Sequence, residues 1–184
     1  MLPRQPTLPL LWLLSDARND DRLEAALASL PAGSGFVFRH YHLDEEVRRQ
    51  RFAALKALAV LKYDHLMILA GSYEQARDWG ATGVYGDTAR IAPATDMLKL
   101  ATAHDGDELA EAGRAGADGV FLSPVFPTRS HPELRPLGVH GFHVLAQQSP
   151  VPVIALGGMS EERASELNWP RWGAIDGLVP PQAA

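Results

Sequence analysis

Apolar residues in this chain gather into short runs, and each run is followed by a stretch in which they recur every three or four positions. The first pattern suits buried strands and the second suits amphipathic helices. Leu10 to Ser15 opens the series as a strand. Asp16 to Asp20 is polar, and Leu23, Leu27 and Leu30 then mark a helical stripe closed by Pro31 and Gly33. Phe36 to His42 reads as a second strand. The amphipathic segment Asp44 to Tyr63 follows, with Asp44 as N-cap and Arg48, Arg49 and Arg51 as a solvated face. Leu66 to Leu69 is a third strand ending at Gly71, with Ser72 capping the short helix after it. Further strands are expected at Met97 to Ala103, Val120 to Val125, Val151 to Leu156 and Ala174 to Val179. The helices between them are Asp107 to Ala115, Phe142 to Gln148 and Glu161 to Trp169.

An internal repeat fixes the order of these elements. Gly80-Ala81-Thr82-Gly83-Val84 recurs as Gly116-Ala117-Asp118-Gly119-Val120 and, more loosely, as Gly173-Ala174-Ile175-Asp176-Gly177-Leu178. Each copy follows a helical segment and is expected to turn the chain back into a parallel strand. Eight strands alternating with helices read as α/β, a compact TIM (β/α)8 barrel formed by a single domain over residues 1–184. A doubly wound open sheet is the alternative. The fold typically needs about 250 residues, so two helices must be stunted. Asp87 to Asp96 is too rich in proline and polar residues for a full helix, and little chain remains after Val179.

Composition narrows the function. The chain is 46% hydrophobic with a net charge of −5, which suits a soluble domain and offers no basic surface for nucleic acid. Leu8 to Leu14 is too short to span a bilayer and has no signal-peptide flanks, so no membrane partner is expected. The absence of cysteine excludes thiolate chemistry and fits a cytoplasmic protein. Association as a homodimer stays open.

Candidate chemistry lies where strands end, because barrels of this kind meet ligands at that face. The ends fall at Asp16, Arg39, Gly71, Asp87, His104, the loop Ser123 to His131, Gly157-Gly158 and Val179. The glycine pair leaves backbone N–H groups uncovered just ahead of a helix, an arrangement that holds anions; without a ligand it is a tight turn. Arg39 suits a phosphate or carboxylate clamp and equally a salt bridge to a neighbouring aspartate. Thr128 and Ser130 can offer hydroxyls to an anion or cap their own loop. His104 could move protons. His131, flanked by Pro132, faces solvent on the simplest reading. Asp87 is a weak metal candidate, and no spacing of the zinc kind is present.

Three segments carry a family likeness: Thr102-Ala103-His104, Ser123 to Ser130 followed by Pro136-Leu137-Gly138, and Pro152 to Met159. Together they resemble the thiamine phosphate synthase and thiazole tautomerase (TenI-like) family, in order along nearly the whole chain and most strongly from Met97 to Met159. The resemblance implies a TIM barrel. Synthase members join hydroxymethylpyrimidine diphosphate to thiazole phosphate while Mg2+ holds the departing pyrophosphate; tautomerase members aromatise a thiazole phosphate carboxylate without metal. It further implies that Gly157 and Gly158 receive the thiazole phosphate, that Thr128 and Ser130 sit beside it, and that Arg39 faces the pyrophosphate and pyrimidine.

Departures from the pattern bear on activity. Where synthases carry Gln-x-Arg-x-Lys this chain has Val37, Arg39 and Tyr41, and where they carry Asn-Asp it has Ala70-Gly71. Asp87 is out of register for the second metal aspartate, and His131 stands at the pyrophosphate lysine. Pro124 occupies the tautomerase histidine position, leaving His104 as the nearby proton carrier. Val179-Pro180-Pro181 puts residues without N–H groups where a second phosphate turn is expected. The expectation is a thiamine-biosynthesis protein with impaired or altered synthase chemistry, with Mg2+ as cofactor only if that activity is kept. The alternatives are a non-catalytic binder of a thiamine precursor or other phosphorylated small molecule, and a thiazole isomerase.

Overall fold

A computed structural model describes residues 7–130 and 132–181. Eight parallel strands close in sequence order into a barrel: β1 Leu11–Leu14, β2 Gly35–Phe38, β3 Leu66–Leu69, β4 Gly83–Gly86, β5 Leu98–Ala103, β6 Gly119–Leu122, β7 Val153–Ala155 and β8 Trp172–Ala174. Pairing of β1 with β8, Trp12 beside Gly173, completes the ring and excludes the open sheet. The helices are α1 Leu23–Ser29, α2 Glu45–Lys56, α3 Tyr73–Asp78, α4 Thr88–Ile91, α5 Gly106–Arg114, α6 Gly138–Gln148 and α7 Glu161–Leu167. As expected, α4 is a single turn, and no helix follows β8 among the described residues.

Alternation along the strands builds two cores. Trp12, Leu14, Val37, Ile68, Tyr85, Leu100, Phe121 and Ile154 form the cluster that fills the barrel. The intervening positions, such as Leu13, Phe36, Phe38, Met67 and Val120, pack with helix residues such as Leu27, Phe52 and Leu109. Trp12 meets Phe121 edge to face at 5.6 Å, and Phe121 meets Tyr85 likewise at 5.3 Å. Gly35 is required beneath the indole, since a Cβ there would lie 2.1 Å from the Trp12 ring.

Caps hold where polar residues predicted them. Asp44 accepts from Val47 N–H at the start of α2, and Ser72 closes a reciprocal capping box with Gln75. The first two repeat copies turn at Gly80 and Gly116, both at positive φ, before entering β4 and β6. The third copy is displaced. Its Gly173 already lies within β8, so the last strand is Trp172–Ala174 and Val179 is not a strand end. Trp172 pairs with both Leu11 and Ala155 and draws the strand back by two residues.

The arginine run on α2 also departs from expectation. Arg49 is exposed and pairs with Asp78, but Arg48 is buried and Arg51 bonds Asp20 and Glu24. Their helical spacing turns these two side chains toward the loops over the barrel end. Beyond Lys56 the helix widens into a π-helical turn, Ala57–Lys62. Among the described residues no helix is long and apolar enough to cross a membrane.

Candidate functional site

The loops after the strands surround a cavity of about 870 Å3, within the size range of small-molecule sites. Thr102, Tyr85 and Leu156 reach it from the strand ends, and Gly157, Gly158, Thr128 and Ser130 share its wall. The glycine turn and the hydroxyl loop are held together by backbone bonds: Val125 N–H donates to Leu156 O at 2.9 Å and Phe126 N–H to Gly157 O at 3.0 Å.

Gly157 and Gly158 adopt φ of 94° and 65°. A Cβ on Gly157 would lie 2.7 Å from Pro124 Cα, and one on Gly158 would lie 2.5 Å from Pro127 O. Only glycine fits both the dihedral and the space. Among the described residues no protein acceptor meets either N–H group. Arg163, from the first turn of α7, donates to Gly158 O and adds a positive charge to this corner. Sequence reasoning missed it; its place three residues after the N-cap Ser160 was the available signal.

The hydroxyl loop is partly self-satisfied. Thr128 Oγ1 accepts from Ser130 N–H at 3.3 Å, and Ser130 Oγ accepts from Arg18 Nη2 at 3.0 Å. Both hydroxyl hydrogens are left to donate. Arg18 reaches across from the loop after β1 and also faces Asp16 at 3.2 Å and Asp176 at 3.8 Å.

Arg39 lines the cavity at the end of β2, and its ion pair with Asp16 is loose at 3.9 Å. Its Nε is buried with no protein partner. His104 stands at the rim with Nδ1 2.8 Å from Glu108 Oε2, turned toward the start of α5. Pro124 follows a cis peptide bond and, like Ser123, lines the cavity. Tyr85 is buried, and that burial pushes its hydroxyl pKa up to about 12 although Arg39 pulls the other way. His131 lies outside the described residues.

The loop after β8 enters the mouth through Ile175, Asp176 and Gly177, ahead of Pro180-Pro181. Among the described residues the N–H groups of Asp176 and Gly177 meet no protein acceptor, so the prolines do not remove the donors. Asp176 instead brings a carboxylate, engaged by Arg18 and by Arg129 at 3.4 Å.

Mg2+ fits this donor set poorly. Two aspartates line the mouth: Asp176 is held by Arg18 and Arg129, and Asp87 accepts from Arg90 N–H at 2.9 Å as the cap of α4. Asp16, beside the mouth arginines, is taken up by Arg18 and Arg39. Ala70-Gly71 supplies no side-chain oxygen. Away from the mouth, Asp20, His40 and His42 bring ligand atoms within 4.8 Å of one another. Asp20 there is already 2.8 Å from both Arg51 Nε and His40 Nε2, and none of the three lines the mouth. Burial lowers the His40 pKa against the pull of Asp20.

Comparison with known proteins adds an independent line. A family model described as thiamine monophosphate synthase matches residues 11–173. A thiamine-phosphate synthase of Salinispora tropica is 32% identical over 82% of this chain and 78% of its own length. One from Pyrococcus furiosus is 25% identical over 85% of this chain and 79% of its own. A solved thiamine phosphate pyrophosphorylase from Pyrococcus furiosus superposes with a TM-score of 0.76 at 22% identity, covering 93% of this chain and 86% of that one. The last likeness concerns the fold alone.

Proposed function

Because the chain belongs to the thiamine monophosphate synthase family, with residues 11–173 matched, we propose that its barrel mouth binds thiazole phosphate and a pyrimidine diphosphate and couples them slowly. The observation that carries this reading is the shared wall of unpartnered Gly157 and Gly158 amides beside Thr128 and Ser130. Amides at such a corner present hydrogen-bond donors to a dianionic phosphate, and Arg163 adds charge beside them. Thr128 and Ser130 hydroxyls serve the same oxygens. Arg39, with its free Nε, faces the pyrimidine half.

Coupling forms a bond from the thiazole nitrogen to the pyrimidine methylene carbon as pyrophosphate departs. Such a reaction needs positioning and charge stabilisation at the leaving group more than a proton carrier. Positioning is provided for by the glycine corner and Arg39. Stabilisation is reduced, because Ala70-Gly71 carries no carboxylate to hold a metal, and turnover falls with it. The same economy disfavours the isomerase, which needs an acid or base where Pro124 stands and His104 points to Glu108. The protein works in the cytoplasm on this reading.

Incubating purified protein with both precursors, with and without Mg2+, tests the proposal. Thiamine phosphate is expected above a heat-killed control, at a rate well below that of the Salinispora tropica relative measured alongside. No product in either condition removes the coupling reading and leaves a binding protein. A rate equal to the relative's removes the impairment.

A further inference from the structure

Arg48 is the only Lys, Arg, Asp or Glu among the described residues that is buried, at 8% exposure. Its Nε donates to Arg39 O at 3.0 Å and its Nη2 to Ala70 O at 2.6 Å. The guanidinium lies 5.5 to 5.8 Å from the rings of Phe38, Tyr41 and Trp79. No carboxylate pairs with it among the described residues. Charged side chains are seldom buried without an opposite charge, since desolvation is costly. Carbonyl dipoles and ring faces soften that cost but leave a full positive charge fixed at the end of β3.

That charge borders open space. Arg48 lines a second cavity of about 470 Å3 together with Gly71, Ser72, Tyr41, Asp87 and Arg90. Tyr41, Asp87 and Arg90 also line the mouth, so the two cavities adjoin. Arg39 lies 5.6 Å from the same Tyr41 ring. Arg48 and Arg90 therefore share the second cavity with a single carboxylate, Asp87, which spends one oxygen capping α4, while Arg39 reaches the Tyr41 ring from the mouth side. Burial lowers the Arg48 pKa, and the like charge of Arg90 adds to this.

We infer that Arg39, Arg48 and Arg90 form a metal-free seat for a diphosphate, with fixed guanidinium charge at the strand-three end where the family pattern expects a magnesium-binding aspartate. The inference rests on reading the mouth as a site for a diphosphate ester and specifies how that end is bound. Guanidinium forks match phosphate oxygens in geometry and keep their charge at any working pH. A dication beside three such groups would be repelled, whereas a diphosphate satisfies all of them. The seat retains the diphosphate but does not follow it as it leaves, because Arg48 is locked by two carbonyls.

Isothermal titration of the full chain with inorganic pyrophosphate, in EDTA and in excess Mg2+, tests the seat. Wild type is expected to bind in EDTA and no more tightly in Mg2+. Arg48→Met, which keeps the apolar stem, and Arg90→Ala are each expected to lose about tenfold or more, the scale of one lost charge-assisted contact. Absence of binding in EDTA, tightening of about tenfold in Mg2+, or unchanged affinity in either variant overturns the inference. Should Arg48→Met fail to melt cooperatively, Arg90→Ala, at an exposed position, decides alone. Thiazole phosphate titrated into the same samples separates the two readings, because its loss with pyrophosphate binding intact counts against the proposed function and leaves the seat standing.

Discussion

Tyr85 shows how a single side chain reports the enclosure of the site. Its hydroxyl has a pKa of about 12 when folded against an ordinary value of 10.0. Between those values the unfolded chain releases a proton that the folded chain keeps, so stability falls as pH rises through that window. The loss expected is about 2–3 kcal/mol, read from denaturant midpoints, and Tyr85→Phe abolishes that component of the slope. His40 works at the other end. Held neutral by burial, its pKa is lowered from 6.5, so the unfolded chain takes up a proton first and stability falls as pH drops below 6.5. Urea midpoints between about pH 7.5 and about pH 5.5 should fall for wild type and stay flatter for His40→Gln. That Gly157, Gly158, Thr128, Ser130 and Arg39 would share one cavity was legible because each follows the end of a strand pattern. Arg48 could not: a run of arginines on a helix looks the same whether it faces water or the loops of a neighbouring strand. Its burial is decided by Phe38 at the end of β2, Tyr41 in the loop after it and Trp79 at the end of α3.

Elements were legible to the extent that their ends are written locally. Asp44, Ser72 and Ser160 each cap the helix that follows, and each donor is the third helical residue's own N–H. Ser72→Ala is expected to cost about 0.5–2 kcal/mol, since it removes the hydroxyl that accepts from Gln75 N–H while the backbone N–H that donates to Gln75 Oε1 stays, and thermal melting measures it. The repeat at Gly80 and Gly116 predicted the entry to β4 and β6 because a positive φ demands glycine there. The third copy misled because Gly173 serves another need. It lies against Trp12 O and Leu14 in the barrel wall, where a Cβ would sit 3.0 Å from Trp12 O. The sequence cannot distinguish a glycine that turns the chain from one that lets strands approach. The shift matters, because it brings Asp176 and Gly177, and not Val179, into the mouth.

At the scale of the whole molecule, closure of eight strands was readable from the alternation of apolar runs with helical stripes, and the short chain correctly foretold the stunted α4. The charge of the mouth was not readable, because it opposes that of the chain. A protein of net charge −5 gathers Arg18, Arg39, Arg90, Arg129 and Arg163 round its cavity against Asp87 and Asp176. Only folding brings together arginines spaced from one end of the sequence to the other. Ligand binding at that mouth depends on the glycine corner holding a phosphate. Isothermal titration of thiazole phosphate into wild type and Gly158→Asp, with melting curves to confirm that both are folded, tests this most directly. Saturable binding by wild type and a loss of about tenfold or more in the variant is the predicted result; equal affinity in the two proteins, or none in wild type, contradicts it.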